Sequence, residues 1–299
     1  MTVVTSGRKY IDIDAYAGCI AYAVLLNATG CPAKAVTTAP ANESIPECIK
    51  KLGPKFDKYA PTRDDSFVMF DISYAQEFDS IVDLARVTEV IDHHAGFEDY
   101  WAARPEVKTQ IEFIGCACTI VYERFVKCGC THLLTGDLCH LMTAAILDQT
   151  LNLKAKITTK RDIVAFKQLV KIGKIKKDWT ETYFCDCERG ILLDLKSAII
   201  NDIKPAPNSN LPQSFGQLVV YNGEKFISDL DVVLDCLKGY DEWMMNLISL
   251  SSGKSYIIAN SETSKGKLET LFAKKFVGDV LILKPFMLRK EIMRYALLH

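Results

Sequence analysis

The chain has 299 residues, 36 basic against 37 acidic side chains and a formal net charge of −1, which argues against a protein wrapped on nucleic acid, where a basic excess is expected. With 49% hydrophobic and 24% charged residues it has the balance of an ordinary globular protein, and roughly 100–200 residues per domain predicts two domains or one large one. Eleven cysteines, an odd count, fit reduced thiols better than a disulfide framework, and neither a signal peptide nor a run of about 20 apolar residues is present, so a cytoplasmic protein off the membrane is expected.

In chain order, Val3–Thr5 is a β-branched run that predicts a short strand, and the polar loop after it carries Asp12 and Asp14. Ala15–Leu26 is apolar and small enough to pack tightly as a helix. Ala33–Thr37 reads as a strand, and Glu43–Leu52 as an amphipathic helix that starts after an Asn42 cap and stops at Gly53-Pro54. Phe67–Phe70 reads as a buried strand ending at Asp71, Ala75–Leu84 as a helix, and Val87–Ile91 as a strand ending at Asp92. Strands separated by helices predict an α/β fold, a parallel sheet covered on both faces.

Thr119–Lys127 and Asp137–Gln149 have helical apolar spacing, and Thr159–Ile172 opens with Thr-Lys-Arg-Asp, a cap followed by an acid three residues on. The basic, poorly patterned Lys171–Lys177 is read as the start of an interdomain connection, which places domains at 1–178 and 184–299. The second domain begins with a helix at Glu188–Ile200 and a loop at Pro205–Pro212. Strands follow at Gln217–Tyr221, Met245–Leu250 and Tyr256–Ala259, with helices at Asp229–Leu237 and Lys265–Lys274, a smaller α/β or α+β unit. Ser252-Gly253-Lys254-Ser255 is read as a turn between strands, since a phosphate loop needs glycine where Ile248 stands.

The acids carry the chemistry. Asp12 and Asp14 follow the first strand, Asp71 ends a later strand, and Asp92-His93-His94 ends another. In a parallel α/β sheet these strand ends share one rim, where ligands bind. Carboxylates gathered there would repel one another and resist ionisation unless cations sat among them. Mixed Asp and His donors suit a moderately hard divalent ion, Mn2+ first, with Mg2+, Co2+ or Zn2+ as candidates. Two such ions can clamp phosphoryl oxygens and activate a water.

In this order of motifs the sequence resembles the DHH phosphoesterases, in particular the branch with a DHHA2-type second domain, which includes manganese-dependent inorganic pyrophosphatases and cytosolic exopolyphosphatases. Beyond the triplet, Gly115-Cys-Ala-Cys-Thr-Ile-Val-Tyr-Glu, Ala144-Ala-Ile-Leu-Asp148-Gln-Thr150, Asp194-Leu-Lys196 and Arg289-Lys290 look like further segments of that branch. The resemblance implies an active site in the cleft between the domains. It implies that Asp14, Asp71, His93 and Asp148 hold one metal, that Asp12 and Asp71 belong to a second, and that one or two ions bind per chain. It further implies that His94 touches phosphate, that Asp71 and His94 are catalytic, and that Lys196, Arg289 and Lys290 bind substrate phosphates. The implied activity is hydrolysis of a phosphoanhydride, pyrophosphate or polyphosphate.

Two positions depart from the pattern. Arg8 stands where the pyrophosphatases have a metal-binding histidine, and a guanidinium has no free lone pair for a metal. Three readings stay open: the first metal position survives with Asp12, Asp71 and water, with Arg8 a substrate-binding cation; Arg8 takes that place by pairing with Asp12 and Asp71 and leaves one metal; or the site is degenerate and the protein a weakened phosphate- or partner-binding one. Ile72-Ser73 follows Asp71 where the family often has His-Asn. The alternative enzyme reading is a nucleotide phosphodiesterase of the same superfamily, against which the absence of a Gly-Gly-Gly-His segment argues. Oligomeric state has no signature in the sequence.

Overall fold

The computed structural model describes residues 1–206, 210–228 and 230–298, without the side chains of Asn201 and Lys290. The chain divides into two compact units, Met1–Tyr183 and Phe184–His299.

The first unit is built on a five-stranded parallel sheet in the order β2-β1-β3-β4-β5. The strands are β1 (Thr2–Thr5), β2 (Ala33–Ala35), β3 (Ser66–Phe70), β4 (Val87–Asp92) and β5 (Lys108–Ile111). The chain leaves β1 in one direction to β2 and returns on its other side as β3, so the topological switch point lies between β1 and β3, where open α/β sheets bind ligands. The helices are α1 (Ile13–Ala28), the short α2 (Glu47–Lys50) and α3 (Glu98–Ala102), then α4 (Ala117–Lys127), α5 (Gly136–Gln149) and α6 (Lys160–Ile172).

Alternation along β3 shows why both faces are covered. Phe67 and Met69 pack in a cluster with Val3, Val90 and Trp101. Phe70, one residue on, faces α1, where a Cβ on Gly18 would meet its ring at 1.9 Å. Only glycine permits so close an approach, and it seats α1 against the strand end that precedes Asp71.

α7 (Trp179–Leu193) spans the boundary between the units. The second unit has the mixed sheet β10-β9-β8-β7-β6, in which only β7 (Ser214–Val220) and β8 (Trp243–Ser249) run parallel. β6 is Lys204–Pro205, β9 is Lys254–Ala259 and β10 is Val280–Leu283. Its helices are α8 (Leu195–Asn201), α9 (Gly223–Ser228), α10 (Leu230–Cys236), α11 (Glu262–Phe272) and α12 (Arg289–Leu298). No helix among the described residues is long and apolar enough to cross a membrane.

The α/β class and the parallel sheet agree with the sequence reading, as does the Thr159–Asp162 capping box of α6. Several expectations need correction. Ala75–Leu84 is not a helix: a 3-10 turn at Ala75–Glu77 is followed by an isolated bridge at Phe78 and a turn from Asp79 to Val82, before a second 3-10 turn at Leu84–Arg86. The Asp79 carboxylate is committed to the Thr38 amide and hydroxyl, at 2.7 and 2.6 Å, which pins the chain away from a helical path. Glu43–Leu52 shortens to α2 because Pro46 stands at its start and Asn42 folds onto Ser44. Glu188–Ile200 is two helices, broken at Asp194, whose side chain caps α8 through the Ser197 amide. Asp229, with which the predicted helix at Asp229–Leu237 opens, and Pro207, Asn208 and Ser209 of the predicted loop lie outside the described residues.

Candidate metal centre

The turn after β3 sets the first donor. Asp71 donates its amide to Ile91 O at 2.8 Å, then takes a left-handed φ of 59°, a conformation that aspartate tolerates better than most residues. Its carboxyl is thereby turned inward, and Oδ1 is buried with no hydrogen-bond partner. His93 Nε2, likewise buried and without a hydrogen bond, lies 3.2 Å away. The other ring nitrogen, Nδ1, is 3.0 Å from Ile114 O. A carbonyl only accepts, so Nδ1 is the nitrogen that donates to Ile114 and Nε2 is the one turned toward Asp71. In the neutral tautomer that this bond selects, Nε2 and the Asp71 oxygen would both offer lone pairs to a cation.

Asp14 supplies a third donor, its Oδ2 3.9 Å from His93 Nε2. It belongs to the first turn of α1 but is held by the first turn of α4. Ala117 N–H donates to Oδ2 at 2.8 Å, and Cys118 N–H and the Cys116 thiol donate to Oδ1 at 2.9 and 3.2 Å. Helix N-termini favour negative charge in this way. Burial pushes both thiols up, so they remain protonated donors rather than thiolate ligands. The separations of 3.2 and 3.9 Å would let His93 share a divalent ion with Asp71 or with Asp14.

Asp12 caps α1 through the Ala15 amide at 2.9 Å, and its second oxygen accepts from Gln149 Nε2 at 3.1 Å. Asp148, beside Gln149 on α5, accepts from the Tyr183 hydroxyl at 3.1 Å. Burial, then the charge on Asp12, pushes the Asp148 carboxyl up to about 7. Burial followed by the neighbouring acids also raises Asp12, and raises Asp71 well above the usual range. Acids that raise one another in this manner hold more negative charge than the protein neutralises. The residues present therefore fit a divalent cation.

Asp92 plays a different part. Its Oδ1 accepts from the His93 amide at 2.7 Å, the His94 amide at 3.2 Å and His94 Nδ1 at 2.8 Å. Burial works to raise Asp92, but the His94 bond and charge outweigh it and hold the carboxyl low, while the same bond raises His94. The His94 ring, its side chain 61% exposed, reaches a cavity of about 520 Å3 that Arg8, Asp12, Asp71 and Asp92 also line.

Arg8 is not paired with Asp12 and Asp71. Its guanidinium meets Glu77 at 3.3 Å on the cavity rim. In the second unit Lys196 is exposed on α8. Arg289, at the start of α12, forms a two-pronged pair with Asp202 at 2.8 and 3.0 Å and donates to the Asp202 carbonyl at 2.6 Å. The Lys290 side chain lies outside the described residues.

Among the described residues the structure gathers donor atoms of Asp71, His93 and His94 within 4.8 Å of one another and sets Asp14 in a second such group with Cys116 and Cys118, with Asp14 reaching His93 at 3.9 Å and Asp12 and Asp148 adding negative charge nearby. Sequence reasoning missed Gln149, Tyr183, the Ile114 carbonyl and the orienting role of Asp92. The Asp148-Gln149 pair and the Gly115-Cys-Ala-Cys turn were visible, but nothing local showed what they would hold.

Residues 2–146 match the profile described as DHH family, N-terminal domain. The chain is 27% identical, over 95% of its own length and 94% of the relative's, to a Lactobacillus gasseri protein named probable manganese-dependent inorganic pyrophosphatase. It is 28% identical, over 59% of its own length and 57% of the relative's, to a Bacillus mycoides protein of the same name. Among solved structures it resembles a Methanococcus jannaschii protein assigned as a family II inorganic pyrophosphatase, with a TM-score of 0.61, 21% identity and 99% of each chain covered. It also resembles an exopolyphosphatase-related protein from Bacteroides fragilis, with a TM-score of 0.51, 12% identity, and 98% of this chain and 89% of that one covered.

Proposed function

We propose, for a chain whose residues 2–146 belong to the DHH family, that it hydrolyses phosphoanhydride bonds of pyrophosphate or short polyphosphate with the help of a divalent ion, Mn2+ first. One observation carries the reading: Asp71 Oδ1 and His93 Nε2, buried and 3.2 Å apart, have no hydrogen-bond partners among the described residues. Asp14, Asp71, His93 and Asp148 are the proposed ligands of the principal ion, with Asp12 and Asp71 at a second position. Such an ion, when bound, polarises phosphoryl oxygens and lowers the pKa of water.

The chain's own residues do the rest. The Ile114 carbonyl and the α4 amides hold the His93 ring and the Asp14 carboxyl in orientation, and fixed partners of this kind typically change metal affinity 10- to 100-fold. Asp92 favours the protonated form of His94, whose exposed edge would then donate to a phosphoryl oxygen as negative charge develops there. Arg8 on the cavity rim, and Lys196, Arg289 and Lys290 in the second unit, are the proposed phosphate-binding cations, with the Asp202 pair competing for Arg289. Cytoplasmic location belongs to the same proposal.

A second reading, one tightly held metal and reduced activity, is favoured by Arg8, whose guanidinium cannot replace a histidine ligand, and by Asp12, both of whose oxygens are already hydrogen-bonded. Phosphate release by the purified chain with Mn2+, Mg2+ and Co2+ on pyrophosphate, tripolyphosphate and long polyphosphate, with monophosphate formation from a cyclic nucleotide followed by chromatography, tests both. Metal-dependent hydrolysis of the anhydrides alone is expected. Hydrolysis only of the cyclic nucleotide, or of none, would overturn the hydrolase proposed.

A further inference from the structure

The cavity that His94 enters is larger and less polar than a diphosphate needs. Its volume of about 520 Å3 lies within the range of small organic-ligand sites, about 300–1,000 Å3. One part of its lining is the acidic group already described. Another is apolar: Ile72, Tyr74 and Phe97. Ile72 directly follows Asp71, so the chain that delivers a proposed ligand delivers this wall as well. Tyr74 and Phe97 stack with ring centroids 4.8 Å apart and planes 18° from parallel. Phe97 packs beneath against the cluster around Trp101, while Tyr74 remains 39% exposed. The pair forms a preformed aromatic shelf in the cavity that the catalytic acids share. Phosphate has no use for such a surface, whereas a planar ring gains from stacking on it.

We propose that the substrate is a phosphoanhydride carrying a planar aromatic group, of the chemical class of a nucleoside diphosphate, with its phosphates at the acidic group and its ring on the Tyr74–Phe97 shelf. This rests on the hydrolase reading above for its chemistry. Water attacks the terminal phosphorus, the bond to the bridging oxygen breaks, and that oxygen leaves with the electron pair. The products are a nucleoside monophosphate and orthophosphate, and the water's remaining proton passes to solvent.

The test compares kcat/KM of the full chain with Mn2+ for ADP, UDP, isopentenyl diphosphate and pyrophosphate, in wild type and in Phe97→Leu and Tyr74→Leu. Leucine keeps apolar volume at both sites, and a thermal melt checks folding. Calorimetry of AMP against inorganic phosphate, with Mn2+ present, supplies a readout independent of turnover, since neither carries a phosphoanhydride to break. The nucleoside diphosphates are expected to exceed pyrophosphate about 10-fold, and either variant to shrink that ratio about 10-fold, the size of one ring's stacking on an aromatic side chain. AMP is expected to bind more tightly than phosphate, with the advantage lost in Phe97→Leu. If pyrophosphate is the equal or better substrate and the variants leave the ratio unchanged, the shelf proposal falls while the hydrolase reading stands. An isopentenyl diphosphate preference would also overturn it, in favour of an aliphatic group. If AMP binds through Phe97 and nothing is hydrolysed, the shelf is supported and the hydrolase reading falls.

Discussion

Asp71 carries two constraints at one residue, a left-handed backbone and a buried acceptor without a partner. Asparagine shares the tolerance for positive φ but not the charge. Asp71→Asn is therefore expected to leave the metal-free chain melting at the same temperature or higher, while Mn2+ affinity, read by titration calorimetry, falls at least about 10-fold. His94 sits at the other end of the site's logic: its ring is oriented by Asp92 but lacks the burial of His93. His94→Ala is expected to lower kcat by about 100-fold, the lower end of what a proton-donating side chain contributes, with bound metal per chain unchanged. A variant that loses its metal along with its activity would make His94 a ligand instead. Both residues were legible as candidates from their positions after strands. Their different roles were not, because burial and partner geometry separate them.

At the level of elements, the site depends on where α4 begins. Asp162, the third residue of α6, closes a capping box with Thr159 and also binds the Gly115 amide at 3.0 Å and the Thr119 hydroxyl at 2.7 Å. One buried carboxylate thus ties the start of α6 to the turn whose following amides hold Asp14. Asp162→Ala would leave several buried donors unsatisfied, and a loss of about 3 kcal/mol is expected in urea denaturation, with weakened Mn2+ binding through the displaced α4. The capping box could be read from Thr-Lys-Arg-Asp, since its partners are three residues apart. The bonds to Gly115 and Thr119 span 47 and 43 residues, and no local pattern signals them. The predicted helix at Ala75–Leu84 failed for the same reason, because Asp79 answers to Thr38 across the fold.

For the whole molecule, pH and metal are the two levers. Glu89 is buried on β4, with Tyr22 of α1 at 2.6 Å and Arg124 of α4 and Lys108 of β5 both at 2.7 Å. Burial acts to raise its carboxyl, but Arg124, Lys108 and Tyr22 outweigh this and hold it below its ordinary value of 4.5. A carboxyl depressed by folding contributes stability above its unfolded value, and that contribution is lost as pH falls through the folded value. Glu89→Gln is expected to destabilise the chain at pH 7 by on the order of 2 kcal/mol, with the difference from wild type shrinking as pH drops below 4.5 in parallel urea titrations. Metal acts in the opposite sense, by binding the folded state alone. At about 100 times its Kd, Mn2+ is expected to add about 2.7 kcal/mol, with fewer than two tight equivalents per chain by metal analysis, because Arg8 cannot act as a ligand.

The sequence by itself determined the alternation of buried strands and helices in the first half, the acids at strand ends and the α6 cap. Each of these is encoded by period or by neighbours within a turn. It did not reveal β5, a short strand of half-exposed and exposed residues without a buried face. Tertiary packing alone decided that Asp14 would be held by amides of a helix about a hundred positions later, that Arg8 would turn to Glu77, and that Asp71 and His93 would meet at 3.2 Å with no hydrogen bond between them. A side chain's type is written locally, but whether its acceptors find protein donors depends on which distant backbone comes to lie beside it, and the reactivity of this site resides in the acceptors that found none.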